Sequence, residues 1–305
     1  MDALVKLFNW LCCIKSNADP EPSHYGSINS ESDPYQQNIQ TVRIAAFNVQ
    51  RFGAKKFNDK YAIDILHKII SRYDLILLQE VQDGNLKKIP SFINALNKIS
   101  GRSYKHVVSD YLGRKTYKEQ YLYIYREDIF EISDSFHYDD GPEELGTDTF
   151  QREPFVVLVK GIKTAVKQFA IIGAHLQPKF VEEELNELVN VYNTVVKKWG
   201  VDDVLIMGDF NAGGSHISKK KLATVDLKTD PKFSWLIENE DTTVGKNTYT
   251  YDRIIASGEM LLKHIPRHSA KVFRFDEEFD IEEPLRISDH YPVEIIIEKA
   301  PKDEL

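Results

Sequence analysis

The clearest pattern in the chain is a series of short apolar runs, each ending at a polar residue. The run Val204–Met207 is one example: it stops at Gly208, and Asp209 and Asn211 follow. A run of this length that ends at a glycine is typical of a buried β-strand. Strands are predicted over Val42–Asn48, Leu75–Glu80, Tyr104–Val108, Tyr121–Tyr125, Phe155–Val159, Phe169–Ala174, Val204–Met207, Tyr251–Ile255 and the segment that follows Asp289-His290.

Between these runs, apolar residues recur at the spacing of an amphipathic helix. The segments Tyr61–Arg72, Pro90–Ile99 and Val181–Trp199 have this spacing. Strands and helices alternate along the body and no internal repeat is visible. This favours one domain of the α/β (or α+β) class over residues 42–299.

Asp209 and Asn211 emerge together at the end of their strand. If the extended geometry persists, residues two apart point the same way, and two oxygen ligands share one face. The alternative is an Asx turn, in which Asp and Asn hydrogen-bond their own backbone. Similar polar residues at other strand ends favour a functional site. This set is Asn48, Glu80, Glu119, His175, Asp209, Asn211, Asp252, Asp289 and His290.

These side chains match the needs of phosphoester hydrolysis. Amides and carboxylates without thiolates select hard cations such as Mg²⁺, Mn²⁺ or Ca²⁺ rather than Zn²⁺. Two histidines then remain for proton transfer, and each needs a carboxylate to fix its tautomer. In such a reaction a cation neutralises the developing charge, one group activates water and another protonates the leaving oxygen.

Composition limits how the protein meets a polyanion. The 305-residue chain has a formal net charge of −8, which argues against an extended basic surface, so phosphates would be met locally or through bound cations. Its cysteines are the neighbours Cys12 and Cys13, so the body has no disulfides. No apolar run approaches the roughly 20 residues of a membrane-spanning helix.

From about Arg43 to Glu298 the sequence resembles the deoxyribonuclease I family, within the wider endonuclease/exonuclease/phosphatase superfamily. The resemblance implies a four-layer sandwich, in which two β-sheets pack face to face between helices. It also implies a metal-dependent endonuclease that cuts DNA with little sequence specificity and leaves 5′-phosphate and 3′-hydroxyl ends. The motifs, in family order, are Ala46-Phe47-Asn48, Gln79-Glu80-Val81, Tyr117-Lys118-Glu119, Arg152-Glu153-Pro154, Gly208-Asp209-Phe210-Asn211, Tyr251-Asp252-Arg253 and Ser288-Asp289-His290-Tyr291-Pro292.

The resemblance also implies roles for the polar set. It implies catalytic pairing of His175 with Glu119, and of His290 with Asp252. The expected metal ion is Mg²⁺ or Mn²⁺. The residues that match metal positions or contacts with the scissile phosphate are Asn48, Glu80, Asp209, Asn211 and Asp289.

Contacts with DNA and structural Ca²⁺ are implied as well. The cationic loop around Tyr117 suits phosphate contacts beside a ring that packs on a sugar or base. A second calcium site is only partly kept, because Gly245 offers no side-chain ligand. The implied DNA contacts are Arg114, Tyr117, Arg152 and Tyr251. The implied calcium ligands are Asp140, Asp148, Glu153 and the carbonyl of Phe150 at one site, and Asp241 and Thr243 at the other.

The sequence departs from the family pattern at several positions. The disulfide cysteines of the secreted members are absent, and Gly214 and Tyr249 occupy the places of one pair. Gln50 and Gln82 stand where the pancreatic-type enzyme has arginines that face DNA, which predicts weaker affinity or a weaker preference for the minor groove. Phe155 replaces a small residue at the actin-binding surface of that enzyme, so we expect no tight actin complex. We also expect a monomer.

The two ends leave the location of the protein open. Residues 1–41 are predicted to be a disordered tail. Its segment Leu7–Ile14 has three interpretations: a signal-peptide core, a membrane anchor acylated at Cys12 and Cys13, or an inert tail. Residues 300–305 end in Lys-Asp-Glu-Leu, an address for retention in the endoplasmic reticulum. The cytoplasm, with or without membrane association, and the reticulum lumen are therefore both open.

Two alternative functions share part of this pattern. Another phosphoesterase of the superfamily would have the same metal and histidine set, but the Tyr117 loop and Arg152-Glu153-Pro154 favour DNA cleavage. An inactive nucleic-acid-binding module would be expected to have lost a catalytic side chain. All four are present: Glu119, His175, Asp252 and His290.

Overall fold

The structure is a computed structural model that describes residues 41–84, 87–142 and 148–301. The N-terminal tail, with Cys12 and Cys13, and the Lys-Asp-Glu-Leu end lie outside the described residues. The predicted division at the two ends therefore stays a prediction. Within the described ranges, none of the helices has the length and apolar character to span a bilayer.

The strands of the described residues form two mixed sheets of six. The strands are β1 (Thr41–Gly53), β2 (Leu75–Gln82), β3 (Tyr104–Val108), β4 (Gln120–Arg126), β5 (Phe130–His137), β6 (Phe155–Gly161), β7 (Gln168–Gly173), β8 (Val204–Asp209), β9 (Ser234–Trp235), β10 (Asp252–Ser257), β11 (Lys271–Val272) and β12 (Val293–Glu298). The first sheet has the order β11-β12-β1-β2-β4-β3 and the second β5-β6-β7-β8-β10-β9. A parallel pair lies at the centre of each, β1 with β2 and β7 with β8.

The central strands are apolar on both faces because each sheet is covered on both sides. In β1, Ile44 packs between the sheets, in one cluster with Met207 of the opposite sheet. Its neighbour Phe47 points the other way and packs among residues of the outer helices. In β8, Ile206 faces the helix on its own outer side. Side-chain alternation thus separates the layers, and the predicted four-layer sandwich is confirmed.

The longer helices cover the outer faces of the sheets. The longest, Val181–Trp199, buries a stripe that includes Leu185 and Leu188 and has acidic residues in its first turn and lysines in its last. Both charge biases stabilise the helix, because negative side chains lie near its partly positive N-terminus and positive side chains near its partly negative C-terminus. The helices are α1 (Ala54–Phe57), α2 (Lys60–Ser71), α3 (Lys88–Ser100), α4 (Val181–Trp199), α5 (Lys219–Leu222), α6 (Asp226–Thr229), α7 (Glu259–His264) and α8 (Phe275–Phe279), with a 3₁₀ turn at Pro284–Arg286.

Gly208 has a different role from the one expected. The sequence predicts that it ends its strand, but β8 continues to Asp209, and Gly208 pairs with Arg253 of β10. Its φ is +142°, and a Cβ there would lie 2.0 Å from the carbonyl oxygen of Ala174. Glycine therefore permits a close approach of the backbone that leads to His175, and this approach carries Asp209 towards that histidine.

Candidate active site

The predicted strand-end residues converge where the two sheets meet. Asn48 of β1 donates from Nδ2 to Oδ2 of Asp209, 3.0 Å away, across the sandwich. Both side chains are buried, at 1% and 2% exposure. This hydrogen bond joins residues 161 positions apart in sequence, so it reports the packing of one sheet on the other.

The first histidine pair consists of His175, just after β7, and Glu119, just before β4. Nδ1 of His175 lies 2.5 Å from Oε1 of Glu119. Burial and the nearby Arg152 guanidinium oppose the charged form of His175, but the Glu119 carboxylate outweighs them and raises the pKa of His175. A carboxylate on Nδ1 leaves Nε2 as the atom that can exchange a proton with a ligand.

Arg152 and Tyr121 hold this first pair in place. Nε and Nη2 of Arg152 donate to the carbonyl oxygen of His175 at 3.1 and 3.0 Å, and Nε lies 3.3 Å from Oε1 of Glu119. The backbone N–H of His175 donates to the Tyr121 hydroxyl at 2.8 Å. The backbone and the imidazole of His175 are therefore both fixed before any substrate binds.

The second pair consists of His290 and Asp252. Nδ1 of His290 lies 2.8 Å from Oδ2 of Asp252, which also accepts the Thr242 hydroxyl at 2.7 Å. Burial opposes the charged imidazole, but Asp252 and Asp209 outweigh it and raise the pKa of His290 to about 10. Both pairs therefore have a carboxylate bonded to Nδ1 of the histidine. Thr242 supports the carboxylate of Asp252, whereas Arg152 supports that of Glu119.

Asp209 lies between the two histidines. Its Oδ2 is 3.4 Å from Nε2 of His175 and 3.5 Å from Nε2 of His290. Burial alone would raise the pKa of Asp209, but the two imidazoles outweigh it and lower that pKa. The free nitrogens of both histidines therefore face one small region beside a single carboxylate oxygen.

Asn211 does not continue the extended strand. Its φ is +50°, and its backbone N–H donates to Oδ1 of Asp209 at 2.9 Å, while its Nδ2 donates to the Leu176 carbonyl at 2.9 Å. The extended alternative was therefore wrong at this residue, and the Asx turn forms because it satisfies a buried N–H. The turn uses Oδ1 of Asp209 and leaves Oδ2 to the histidines.

Glu80 lies on the first sheet at an irregular part of its strand pairing. The register of β1 and β2 shifts between Asn48 and Phe52, and φ is positive at Gln50 (45°), Arg51 (49°) and Glu80 (57°). Oε1 of Glu80 accepts from Asn48 Nδ2 at 3.0 Å, and Oε2 accepts from the Arg51 N–H at 2.9 Å. Left-handed backbone at non-glycine residues costs about 1–3 kcal/mol each and concentrates at functional sites.

Asp289 lies beside His290 and is held by residues that the sequence did not single out for this role. Gln50 donates from Nε2 to its Oδ2 at 2.7 Å. Lys56 of α1 donates to the carbonyls of Val49, Gln50 and Ile287 at 2.5, 2.7 and 2.6 Å. Burial lowers the pKa of Lys56 to about 8, although Asp289 and Glu80 oppose that shift. Lys56 therefore ties the strained β1 loop to the segment that carries Asp289.

The donor set fits a hard cation. Asp209, Asp252 and His290 offer ligand atoms within 4.8 Å of one another, a grouping that could hold a metal ion. Within the described ranges, neither Glu80 nor Asp289 forms an ion pair with a lysine or arginine. Since Nδ1 of His290 is already bonded to Asp252, we favour the side where the carboxylates of Glu80, Asp209 and Asp289 lie as the place for a hard ion.

The residues predicted to touch DNA lie at different depths. Tyr117 is 46% exposed and its hydroxyl donates to Glu80 at 3.2 Å. The Tyr251 ring is half-buried, with its centroid 6.4 Å from that of His290. Arg114 donates to the Asp148 backbone and pairs with its carboxylate at 2.8 Å. Arg152 is only 7% exposed, and its guanidinium is directed to the first histidine pair.

The first predicted calcium site keeps its donors close in space. Oδ2 of Asp140 accepts the backbone N–H groups of Thr149 and Phe150 at 2.6 and 2.8 Å. Burial raises the pKa values of Asp140 and Glu153, and the neighbouring Asp148 raises both further. Carboxylates that raise one another's pKa in a loop suit a cation that neutralises them.

The second predicted calcium site lies on the loop before β10. The Thr243 hydroxyl accepts the Tyr249 N–H at 2.9 Å, and Thr248 donates to Asp241 at 2.6 Å. Both predicted ligands are thus engaged with their own loop. The first site gathers three carboxylates, Asp140, Asp148 and Glu153, whereas the second has only Asp241, so the first is the better candidate of the two.

Three residues that support the site were not identified from the sequence. Thr242 supports Asp252, Lys56 holds the β1 loop, and Glu184 of α4 accepts the backbone N–H groups of Gln151 and Gln177 at 2.9 and 2.7 Å. Glu184 is 1% exposed, and an acid on the buried stripe of an amphipathic helix is the one feature that could have revealed it.

Phe155 does not lie at the surface. It is 3% exposed, and its ring stacks on that of His137 with centroids 4.8 Å apart. The expected obstruction of actin by an exposed Phe155 ring is therefore not supported by its position. His137 covers it, and the weak affinity for actin stays a prediction.

Comparison with known proteins agrees with this geometry. A model of the endonuclease/exonuclease/phosphatase family matches residues 45–290. Deoxyribonuclease-1 of Sus scrofa is 42% identical over 263 residues, covering 85% of this chain and 93% of that protein. Deoxyribonuclease gamma of Mus musculus is 43% identical over 265 residues, covering 85% of each.

Solved structures show the same fold at low identity. An endonuclease/exonuclease/phosphatase from Bacteroides vulgatus has a TM-score of 0.59 at 16% identity, covering 86% of this chain and all of that one. The human Nocturnin catalytic domain with bound sulfate has a TM-score of 0.56 at 15% identity, covering 85% and 95%. By sequence, the chain belongs to the deoxyribonuclease I-like branch of the endonuclease/exonuclease/phosphatase family, and it has the fold of that family.

Proposed function

We propose that this protein is a metal-dependent endonuclease that hydrolyses phosphodiester bonds of DNA with little sequence specificity. Relatives named deoxyribonuclease-1 and deoxyribonuclease gamma, 42% and 43% identical over 85% of the chain, support DNA as the substrate. The observation that carries the chemistry is the approach of both free histidine nitrogens to Asp209 Oδ2, at 3.4 and 3.5 Å. A phosphate bound there would meet two proton carriers at once.

His175 and His290 divide the acid and base work in this proposal. One Nε2 takes a proton from the attacking water and the other gives a proton to the leaving 3′-oxygen. Glu119 and Asp252 hold each Nδ1–H and stabilise the imidazolium form. Arg152 acts as a positioning residue, since its guanidinium fixes the backbone of His175 and the carboxylate of Glu119.

A bound Mg²⁺ or Mn²⁺ would supply positive charge beside the phosphate during hydrolysis. We propose that the carboxylates of Glu80, Asp209 and Asp289 form the oxygen-rich wall that holds the ion, and that Asn48 orients Glu80 and Asp209 through its Nδ2. Asn211 orients Asp209 through its backbone N–H. The acidic wall also accounts for how a chain of net charge −8 would act on a polyanion.

Contacts with the DNA backbone would come from side chains around this wall. Tyr117 lies beside Glu80, and Tyr251 lies beside His290. Arg114 adds a cation, and structural Ca²⁺ at Asp140, Asp148, the Phe150 carbonyl and Glu153 would fix the loop to which Arg114 is bound. Phosphate contacts of this kind position DNA without reading its sequence, which is why specificity should be weak.

The proposal is tested by incubating the protein with supercoiled plasmid and Mg²⁺, with and without chelator. We expect conversion to nicked and then linear DNA, its loss with chelator, and products that a ligase can reseal because they carry 5′-phosphates and 3′-hydroxyls. Intact plasmid together with turnover of a phosphomonoester would instead favour the phosphatase alternative. Binding without cleavage of either would favour the inactive module.

The division of labour between the histidines has its own test. A substrate with sulfur at the bridging 3′ position has a leaving group that needs no protonation. We expect this substrate to restore cleavage by the alanine variant of the acid histidine and to leave the variant of the other histidine inactive. Equal rescue of both variants, or of neither, would contradict a separate acid and base.

A further inference from the structure

Beside the catalytic pairs lies a cleft that the proposed reaction does not use. It begins at the Gly213-Gly214 turn, two residues after Asn211, and has a volume of about 600 Å³. This is within the range of ligand pockets in proteins, roughly 300–1,000 Å³. We name it the Tyr249 cleft. Its lining includes Gly214, Lys219, Trp235, Tyr249 and Arg253.

A series of aromatic rings leads from the catalytic imidazole to this cleft. The Tyr251 centroid lies 6.4 Å from that of His290. The Tyr249 ring is nearly parallel to Tyr251, with centroids 5.1 Å apart and 9° between the planes. Tyr249 is 39% exposed, although it packs on Tyr251. An exposed ring is thus presented next to the place where a phosphodiester would be cut.

The backbone of Gly214 builds the position of these rings. Its φ is +58°, and a Cβ at this residue would lie 2.9 Å from Cδ1 of Tyr249 and 3.0 Å from the hydroxyl of Tyr251. A glycine is needed both for the turn and for the close approach of the two rings. The rings of Tyr249 and Tyr251 are therefore packed against the backbone of Gly214.

The charge of the cleft suits a phosphate-bearing ligand. Lys219, Lys228 and Arg253 line it, against the two carboxylates of Glu238 and Asp241, and Lys228 forms an ion pair with Glu238. This local excess of positive charge contrasts with the net charge of −8 for the whole chain.

Arg253 is a buried cation in the wall of the cleft. It is 2% exposed, and its Nη atoms donate to the carbonyls of Glu238 and Ala212 at 2.6 Å each. Its Nε has no hydrogen-bond partner within the described part of the chain. A buried donor without a partner is costly unless a ligand or water satisfies it.

We propose that the Tyr249 cleft binds an unpaired nucleotide of the DNA strand that is cut, with its base against the Tyr249 ring and its phosphate near Lys219. This inference rests on the proposed function and extends it to a substrate class. A paired base presents only its edge in a groove, whereas an unpaired base can stack its face on an aromatic ring. Single-stranded or frayed DNA therefore gains from the cleft, and closed duplex does not.

The test compares cleavage of a single-stranded oligonucleotide that forms no hairpin with cleavage of the duplex that it forms with its complement. We expect Tyr249→Ala to lower kcat/KM on the single strand about tenfold, the scale of one base–aromatic stack, and to leave the duplex rate nearly unchanged. Tyr249→Phe should keep both rates. The matched control is Tyr61→Ala, since Tyr61 of α2 is similarly exposed, at 40%, but lines no part of the cleft.

A binding measurement separates failure of this inference from failure of the proposed function. We expect 2-aminopurine in a single-stranded probe to be quenched by the His290→Ala protein and not by the His290→Ala, Tyr249→Ala double variant. Equal quenching by the two proteins, or equal loss of single-strand and duplex cleavage in Tyr249→Ala, would overturn the cleft proposal. A parent protein that cuts neither substrate would overturn the proposed function. The 2-aminopurine fluorescence would still show whether the Tyr249 cleft binds an unpaired base.

Discussion

The carboxylate of Asp209 serves the backbone through one oxygen and the histidines through the other. The sequence left an Asx turn and a ligand pair as alternatives, and the structure contains the turn while keeping Oδ2 directed to the site. The polar residues at strand ends could be predicted because they follow apolar runs. Their supports, Thr242 and Arg152, could not, because each acts on a residue that is distant in the sequence or in an unrelated element.

Glu184 should make stability depend on pH. Burial raises its pKa from the usual 4.5 to about 7. A raised carboxyl pKa favours the protonated folded state, so the stability contributed is full below about pH 4.5 and is lost as pH rises through 7. Gln at this position does not titrate. We expect the free energy of unfolding of the parent, relative to Glu184→Gln, to fall by an amount on the order of 3 kcal/mol between pH 4.5 and 8.

Thermal or urea unfolding of both proteins at fixed Ca²⁺ measures this difference. The matched control is Glu187→Gln, the same change of acid to amide on the same helix. A difference between parent and Glu184→Gln that stays constant from pH 4.5 to 8, or that grows, would contradict the assignment of the titration to Glu184.

At the scale of elements, the continuous apolar runs of the central strands were sufficient for prediction. Val181–Trp199 and Tyr104–Val108 have the predicted bounds. The strand β5 was missed because it lies at a sheet edge and its pairing with β6 shifts between Ile132 and Asp134. A shift of this kind breaks the two-residue alternation from which a half-buried strand is recognised. The two-residue strands β9 and β11 are too short to leave any pattern.

The short helix α1 should matter more for the site than its four residues suggest. Lys56 donates to three carbonyls, and removing the ammonium leaves these acceptors without their donor. We expect Lys56→Met to lower the free energy of unfolding by about 1–3 kcal/mol and to raise the Mg²⁺ concentration needed for half-maximal activity, since the β1 loop also holds Asp289. The control is the exposed neighbour, Lys55→Met. Identical behaviour of the two variants would contradict this role.

The loop between β5 and β6 should respond to Ca²⁺. If Asp140, Asp148 and Glu153 share an ion, Ca²⁺ should raise the thermal midpoint and slow proteolysis of this loop, because binding stabilises only the folded state. Asp140→Asn should abolish most of that response, whereas Asp139→Asn next to it should not. A Ca²⁺ response that survives in Asp140→Asn would place the ion elsewhere.

For the whole molecule, the alternation of strands and helices predicted only an α/β class. The sandwich of two sheets came from the family resemblance, because the strand order is not sequential and depends on long-range pairing. For instance, β1 pairs with β12 at the other end of the chain. The charge of −8 also belongs to this scale, since it makes DNA binding depend on cations and on a few local contacts.

Gln82 lies at the end of β2, two residues beyond Glu80, and should limit affinity for duplex DNA. We expect Gln82→Arg to tighten duplex binding in chelator several-fold and to steepen the dependence of log Kd on log salt by about 0.9, the value for one added phosphate contact. Gln168→Arg, at the far end of β7, is the control for added charge alone. An equal gain in both variants would show that net charge, and not the position of residue 82, sets the affinity.

The central claim is that two histidine–carboxylate pairs cut DNA at this site. Its most direct test is the initial rate of plasmid nicking by the parent and by His290→Ala at the same Mg²⁺ concentration, with folding of both confirmed by thermal unfolding. Loss of a general acid or base predicts a rate about 10²–10⁴-fold lower for the variant. Undiminished nicking by folded His290→Ala protein, or no nicking by the parent, would contradict the account.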